Sequence, residues 1–154
     1  MEQRPTVKAS LIATPLIDGR AEREFITSLI SCQGLYRGWA CVEGVSHIGL
    51  ARHLLAAQFL ASGCDRMVFI DGDIAFTRAD LERLLAADKS VVSGMYPRKS
   101  PAMNWSFKSA STGTEDRLPA KALAPARYVP CGFPRVDRRV FNDIANSGSC
   151  TAYS

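Results

Sequence analysis

An α/β fold with a mainly parallel sheet is what this sequence predicts, on three observations. Short apolar runs alternate with segments of helical periodicity along the chain, the pattern of strands joined by right-handed helical crossovers. One run, Met67 to Ile70, is apolar throughout, as a strand buried on both faces of a parallel sheet must be. Two aspartates separated by one glycine, Asp71 and Asp73, stand directly at its end. That is where ligands of open α/β sheets bind.

Val7 to Ala13 reads as the first strand, stopping at Thr14-Pro15, with Asp18-Gly19 marking the loop beyond. Ala21 to Ser31 carries Phe25 and Leu29, with adjacent Ile26 and Ile30, at helical spacing, and should be the first covering helix. Gly34 and Gly38 bracket a turn, and Trp39 to Val45 reads as the second strand. Ser46 is a fair N-cap for a longer helix, Ile48 to Ala61, which is apolar round most of its circumference and so expected to be well buried. Gly63 ends it. After the aspartate strand, Thr77-Arg78-Ala79-Asp80 makes a capping-box-like start to a helix with Leu81, Leu84 and Leu85, running to about Ala87. Ser90 to Gly94 reads as another strand. Residues 109–130 are rich in Ser, Thr, Ala and Pro and read as a loop excursion. Val136 to Ile144 reads as a strand end passing into a last helix, with Val140, Phe141 and Ile144 inward.

The 154 residues, 47% hydrophobic, fit one domain spanning 1–154 with a real core. No apolar run approaches the roughly 20 residues that span a bilayer, and the start MEQRPTVK lacks a signal-peptide core. A cytoplasmic protein is therefore expected. The five cysteines, Cys32, Cys41, Cys64, Cys131 and Cys150, are scattered and form no CxxC pair, which argues against a disulfide framework and a zinc site. Two histidines, His47 and His53, make a His-rich metal site unlikely to be encoded. The net charge of +4 is not gathered into a basic block. It fits an anionic small molecule at least as well as nucleic acid, and no nucleic-acid partner is expected.

In extended backbone, residues two apart point to the same side, so the carboxylates of Asp71 and Asp73 converge, with Gly72 easing the turn between them. Paired oxygen ligands favour a hard cation, Mg²⁺ or Mn²⁺, with phosphate and water completing its shell. The competing reading, that the pair caps the next helix, is weakened because Thr77 and Asp80 already do so. Arg52 lies on one stripe with Ile48, Leu55 and Phe59, where a charge is not expected. It is either a cation reaching a phosphate over the end of the sheet, or one that snorkels or pairs with a structural carboxylate. Met95-Tyr96-Pro97-Arg98-Lys99, followed by Ser100-Pro101, reads as a pocket lining or an ordinary surface loop.

These pieces together resemble the bacterial and phage glycosyltransferases of the GT-A fold, related to glycosyltransferase family 2. The similar stretches are Ala13-Thr14-Pro15, SHIGLARHLLAAQFL (46–60), MVFIDGDIAF (67–76), VVSGMYPRK (91–99) with Asn104-Trp105, and Gly132-Phe133 with DRRVF (137–141). The resemblance implies a Rossmann-like α/β/α domain that binds a nucleotide-diphosphate sugar, of UDP or GDP type, and transfers the sugar to an acceptor. It implies Asp71 and Asp73 as the DxD pair on the metal, Thr14 and Pro15 beside the base and ribose, and Arg52 near the donor. Tyr96, Lys99 and Trp105 would lie toward the sugar or acceptor.

The chain departs from that pattern in places. His53 stands where the family has Asn, and Pro134 interrupts an expected apolar strand. The sequence stops at Ser154, before the part in which relatives carry a further acidic motif and a late histidine, so the domain is expected to be short after its DxD half. Asp80, Glu82, Glu115, Asp116 and Asp137 remain, with no spacing that nominates a general base. Two alternatives follow. One is a donor-binding or interaction domain with weak or absent transfer. The other, a phosphatase of the haloacid dehalogenase type, meets Ala75 where that chemistry uses Thr or Val. A shortened sheet would also leave an edge to be covered or paired, by a second copy in a homo-oligomer.

Overall fold

The computed structural model describes residues 8–97, 108–109 and 123–148. In chain order the elements are β1 (Ser10–Leu16), α1 (Arg23–Ser31), β2 (Gly38–Glu43), α2 (Ile48–Ala61), β3 (Arg66–Phe69), α3 (Arg78–Ala86), β4 (Val91–Ser93), β5 (Lys108–Ser109), β6 (Ala126–Tyr128), β7 (Pro134–Asp137) and α4 (Arg138–Asn146). Five strands form the main sheet in the order β2-β1-β3-β7-β4, and β5 pairs with β6 in a separate ribbon.

Side-chain alternation along the two central strands builds the two halves of the core. Ile12, Val68 and Ile70 face α1 and α3 and pack with Phe25, Leu29, Leu81 and Leu84. Leu11, Ala13, Met67 and Phe69 face α2 and pack with Ala51, Leu55 and Phe59. Helices therefore cover both faces, and the fold is α/β with a mixed five-stranded sheet, compatible with a Rossmann-like arrangement. Helix α4 adds to the α2 side, its Phe141 ring 5.3 Å from that of Phe59.

The sheet is mixed, so the expectation of a mainly parallel one holds in part: β1, β2, β3 and β4 run in one direction and β7 is reversed. β1 is parallel to β2 and β3, whereas β7 runs antiparallel to both β3 and β4. The alternation of strand and helix holds only as far as β4. Among the described residues no helix intervenes between β4 and β7, and β7 is antiparallel to both of its neighbours. Pro134 is accommodated because it is the first residue of β7, opposite Ser93. The flanking bonds on that side are donated by Gly94 N to Phe133 O (2.9 Å) and Asp137 N to Ser90 O (2.8 Å), so no donor is required of the proline.

Several boundaries differ from the sequence reading. β1 continues through Thr14 and Pro15 to Leu16, with all seven residues buried. It does not stop at Ala13, because β2 pairs with it out to Glu43. α2 is capped by His47, whose Nδ1 accepts from Leu50 N at 3.1 Å, rather than by Ser46. That helix is buried along one face only; Ile48, Leu54 and Leu60 are exposed, since one sheet face covers only one stripe. Ile30 and Ile144 are likewise exposed, and no residue of α4 is fully buried. Residues 126–128, inside the expected loop excursion, form β6 and pair with Lys108 and Ser109. The start of α3 has the expected capping box between Thr77 and Asp80, and Gly63 takes the left-handed conformation after α2.

The far end of the sheet holds a charge the sequence did not announce. Arg135 of β7 is fully buried, donating to the carbonyls of Leu85 and Lys89 and lying 3.8 Å from Asp137. Burial pushes its pKa down, partly offset by Asp137. Arg66 donates to the same Leu85 carbonyl at 2.7 Å. Two guanidinium groups thus serve the open carbonyl end of α3, which carries partial negative charge.

Gly94 is packed closely against the residue that precedes β7. A Cβ there would lie 2.5 Å from Cδ1 of Phe133, whose ring is held 5.4 Å from that of Phe76. Gly94→Ala should therefore destabilise the protein by about 1–3 kcal/mol through overpacking. An unchanged midpoint in urea denaturation would show that the Phe133 ring yields.

Candidate functional site at the carboxyl end of the central strands

Three strands deliver the Asp71-Gly72-Asp73 turn to one place. Ile70 N donates to Ala13 O of β1 (3.0 Å), Asp71 N donates to Gly132 O just before β7 (3.0 Å), and Ile74 N closes the turn on Asp71 O (3.0 Å). Buried Ile74 and Phe76 pin the chain beyond it. Gly72 is needed for close approach rather than for a left-handed turn. A Cβ there would meet Leu16 Cδ2 at 2.6 Å, with Arg20 O and Ala21 Cα each at 3.6 Å. Its carbonyl accepts from Glu22 N at 2.8 Å, fastening the β1–α1 loop to the aspartate turn.

Arg52 is placed by α2 against this turn, and of its two readings the structure favours the paired carboxylate. Its Nη2 donates to Asp71 Oδ1 (3.0 Å) and Oδ2 (3.4 Å) and to Cys131 O (3.1 Å). Its buried Nε has no hydrogen-bond partner. Burial raises the Asp71 pKa; the Arg52 charge and hydrogen bond oppose that rise, and the Asp73 charge adds to it. Tyr96 comes to the same spot from beyond β4. Its hydroxyl accepts from Gly132 N at 3.1 Å, and burial pushes its pKa up. Gly132 has to be glycine there, because a Cβ would meet Tyr96 Oη at 2.4 Å and Ile74 Cδ1 at 2.7 Å.

Beside the turn lies a cleft of ≈ 520 Å³, walled by Pro15, Leu16, Ile17, Asp18, Arg20, Ala21 and Glu22 and closed by Ile48, Asp71, Gly72 and Asp73. That volume is in the range of small-molecule sites, about 300–1,000 Å³. Pro15, Asp71 and Asp73 therefore share it, while Arg52 is bonded to Asp71 outside the lining. Thr14 does not line it: the residue is fully buried and its hydroxyl accepts from Trp39 Nε1 at 2.9 Å. Lys99 and Trp105 lie outside the described residues. Asp18, Arg20 and Glu22 are the cleft residues that sequence reasoning missed. Their only signal was the Asp18-Gly19 loop marker, which says nothing about what the loop faces.

Paired carboxylates are the donor type that a hard divalent cation would take. Among the described residues no group of three or more His, Cys, Asp or Glu side chains is placed to hold a metal, so the protein side would be Asp71 and Asp73. One or two carboxylates with phosphate and water is the usual Mg²⁺ arrangement. A carboxylate has about four lone-pair sites, so Asp71 keeps accepting capacity beside its bonds to Arg52. Among the described residues no helix is long and apolar enough to cross a membrane, and Cys32, Cys41, Cys64 and Cys131 are free thiols.

No protein-family model and no curated protein matches the chain. Among solved structures it is similar to A197 from STIV, with a TM-score of 0.63 and 17% identity, over 88% of this chain and 68% of that one. At that identity the likeness shows the fold alone.

The Asp71 shift gives a pH-dependent test. A carboxyl whose pKa is raised by folding binds its proton more tightly in the folded state, so its contribution to stability falls as pH rises through the raised value. Removing Arg52 widens that window. Arg52→Gln should cost about 1–3 kcal/mol at neutral pH, where it leaves a partly buried carboxylate without its charged donor. The loss should shrink as acid protonates Asp71. Urea denaturation across a pH series reads both; a loss independent of pH would mean that Arg52 acts by packing alone.

Proposed function

We propose that this chain is a GT-A-type domain that binds a nucleotide-diphosphate sugar, of UDP or GDP type, with Mn²⁺ or Mg²⁺, and serves transfer of the sugar to an acceptor. The observation that carries this reading is the convergence of Asp71 and Asp73 at the carboxyl end of β3, on a cleft walled by the first β–α loop. Ligands of open α/β sheets bind at such ends.

The residues divide the work by environment. Asp71 is held by Arg52 and by its backbone bond to Gly132, so its carboxylate is oriented before any ligand arrives. Asp73 is exposed and reaches the cleft from the outer side of the turn. The lining carries four carboxylates, Asp18, Glu22, Asp71 and Asp73, against one guanidinium, Arg20. Such a surface repels a bare diphosphate, so anion binding here requires a cation between the two. A bound divalent ion supplies charge neutralisation on the leaving nucleoside diphosphate, which matters most in the transition state. Leu16 and Ile48 give the cleft apolar wall for the remainder of the ligand.

A second reading, donor binding with weak transfer, is favoured by where the acids Asp80, Glu82 and Asp137 are spent, which leaves Asp18 and Glu22 as the further carboxylates of the cleft lining. Asp80 closes the capping box of α3, Glu82 pairs with Arg78 at 3.0 Å, and Asp137 sits with Arg66 and Arg135 near the opposite end of β3. None of these three is available as a base at the cleft.

Calorimetric titration of UDP and GDP, with and without Mn²⁺, tests the proposal. Binding should require the metal and weaken at least tenfold in Asp73→Ala, as expected when a charge-assisted contact is lost. Nucleotide binding indifferent to both metal and Asp73 would refute it. Release of sugar from a nucleotide sugar by the unmodified protein would separate the enzyme from the binding domain.

A further inference from the structure

The cleft needs a protein cation for an anionic ligand, and the residue that the sequence offers for that task is already committed. Arg52 gives Nη2 to both oxygens of Asp71 and to Cys131 O, its Nε is enclosed, and it does not line the cleft. Moving it to a phosphate would strand a partly buried carboxylate whose pKa burial already raises. Arg20 is placed differently. It is the cation of the cleft lining, and among the described residues its guanidinium takes part in no hydrogen bond or ion pair.

The backbone around Arg20 is built to hold it at the aspartate turn. Gly19 N donates to Leu16 O (3.1 Å), Gly19 is in the left-handed region at φ +72°, and Arg20 N donates to Asp18 Oδ1 (3.1 Å). Arg20 O is 3.6 Å from the position of a Cβ on Gly72, and Glu22 N is bonded to Gly72 O. A loop closed at both ends thus holds Arg20 in the cleft lining that it shares with Asp71 and Asp73. Arg52 supplies the contrast: it is bonded to Asp71 and lies outside the cleft lining, whereas Arg20 belongs to that lining.

We infer that Arg20 is the phosphate-contacting residue of the cleft, taking the diphosphate of the ligand from the β1–α1 loop. This rests on the reading of the cleft as a nucleotide-diphosphate site. A planar guanidinium binds phosphate oxygens through paired N–H donors, so a point charge in its place is an incomplete substitute. The residue is exposed and bonded only through its backbone, so changing its side chain leaves the fold intact.

The test uses calorimetry with inorganic pyrophosphate, UDP and GDP in the presence of Mn²⁺, on the full chain and on Arg20→Gln, Arg20→Lys and Asp73→Ala. Arg20→Gln should lose at least tenfold in affinity for pyrophosphate and for both nucleotides, and Arg20→Lys should recover part of it. Mn²⁺ binding without nucleotide should not weaken in Arg20→Gln, which separates phosphate contact from general damage. Affinities within twofold of the unmodified protein in Arg20→Gln, with Asp73→Ala still impaired, would overturn the role of Arg20 and leave the metal site standing. Loss in Arg20→Gln with Asp73→Ala unaffected would support Arg20 and remove the metal-dependent reading. Absence of binding by the unmodified protein to all three probes would overturn both.

Discussion

Strand β3 is only four residues long, yet every layer of the structure takes its position from it. It lies between β1 and β7, with Met67 and Phe69 in the core on the α2 side and Val68 in the core on the α1 and α3 side. A strand shared by two cores cannot slip by one residue without exchanging its inward sets on both faces. That constraint fixes where the chain leaves the sheet. Asp71 follows on the α2 side, which is why it meets Arg52, and Asp73 follows it into the cleft.

Arginine does much of the internal bonding at helix ends and strand ends. Arg138 reaches across to the end of α2, with Nε on Cys64 O, Nη1 on Leu60 O and Nη2 on Phe59 O, and its guanidinium lies 4.6 Å over the Phe59 ring. Arg66 and Arg135 serve the end of α3 in the same manner. Each guanidinium satisfies carbonyls that a helix leaves open, while its charge complements the negative end of the helix dipole. Much of the positive charge that suggested an anionic partner is therefore committed inside the fold. The net charge of +4 is a poor guide to the cleft, whose charged lining residues are four carboxylates and one guanidinium.

The elements up to β4 were legible because each depends on local pattern. Phe25 and Leu29 mark one helix stripe and Leu81 and Leu84 another, and all four are buried. The capping box at Thr77 and Asp80 is four residues of local hydrogen bonding, and it forms as read. Errors arose where a neighbour decided the outcome. Thr14-Pro15 read as a stop, but β2 pairs alongside and keeps β1 extended to Leu16. α2, apolar round most of its circumference, read as well buried, but one sheet face has room for only Ala51, Leu55 and Phe59. The direction of β7 had no local signature either, since strand direction depends on the connection before it.

For the site, the sequence by itself determined that two carboxylates follow a buried strand, because apolar continuity and the spacing of Asp71 and Asp73 are properties of adjacent residues. Tertiary structure alone decided what surrounds them. Arg52 is 19 residues from Asp71 and Cys131 is 79 from Arg52, and only the packing of α2 against the sheet makes them one hydrogen-bonded group. Arg20 and Glu22 come to Gly72 through a loop whose ends are fastened by backbone bonds. Side-chain chemistry and short-range periodicity are written in the chain. Which distant side chain is spent on structure, and which is left facing the cleft, depends on three-dimensional proximity that no local pattern encodes.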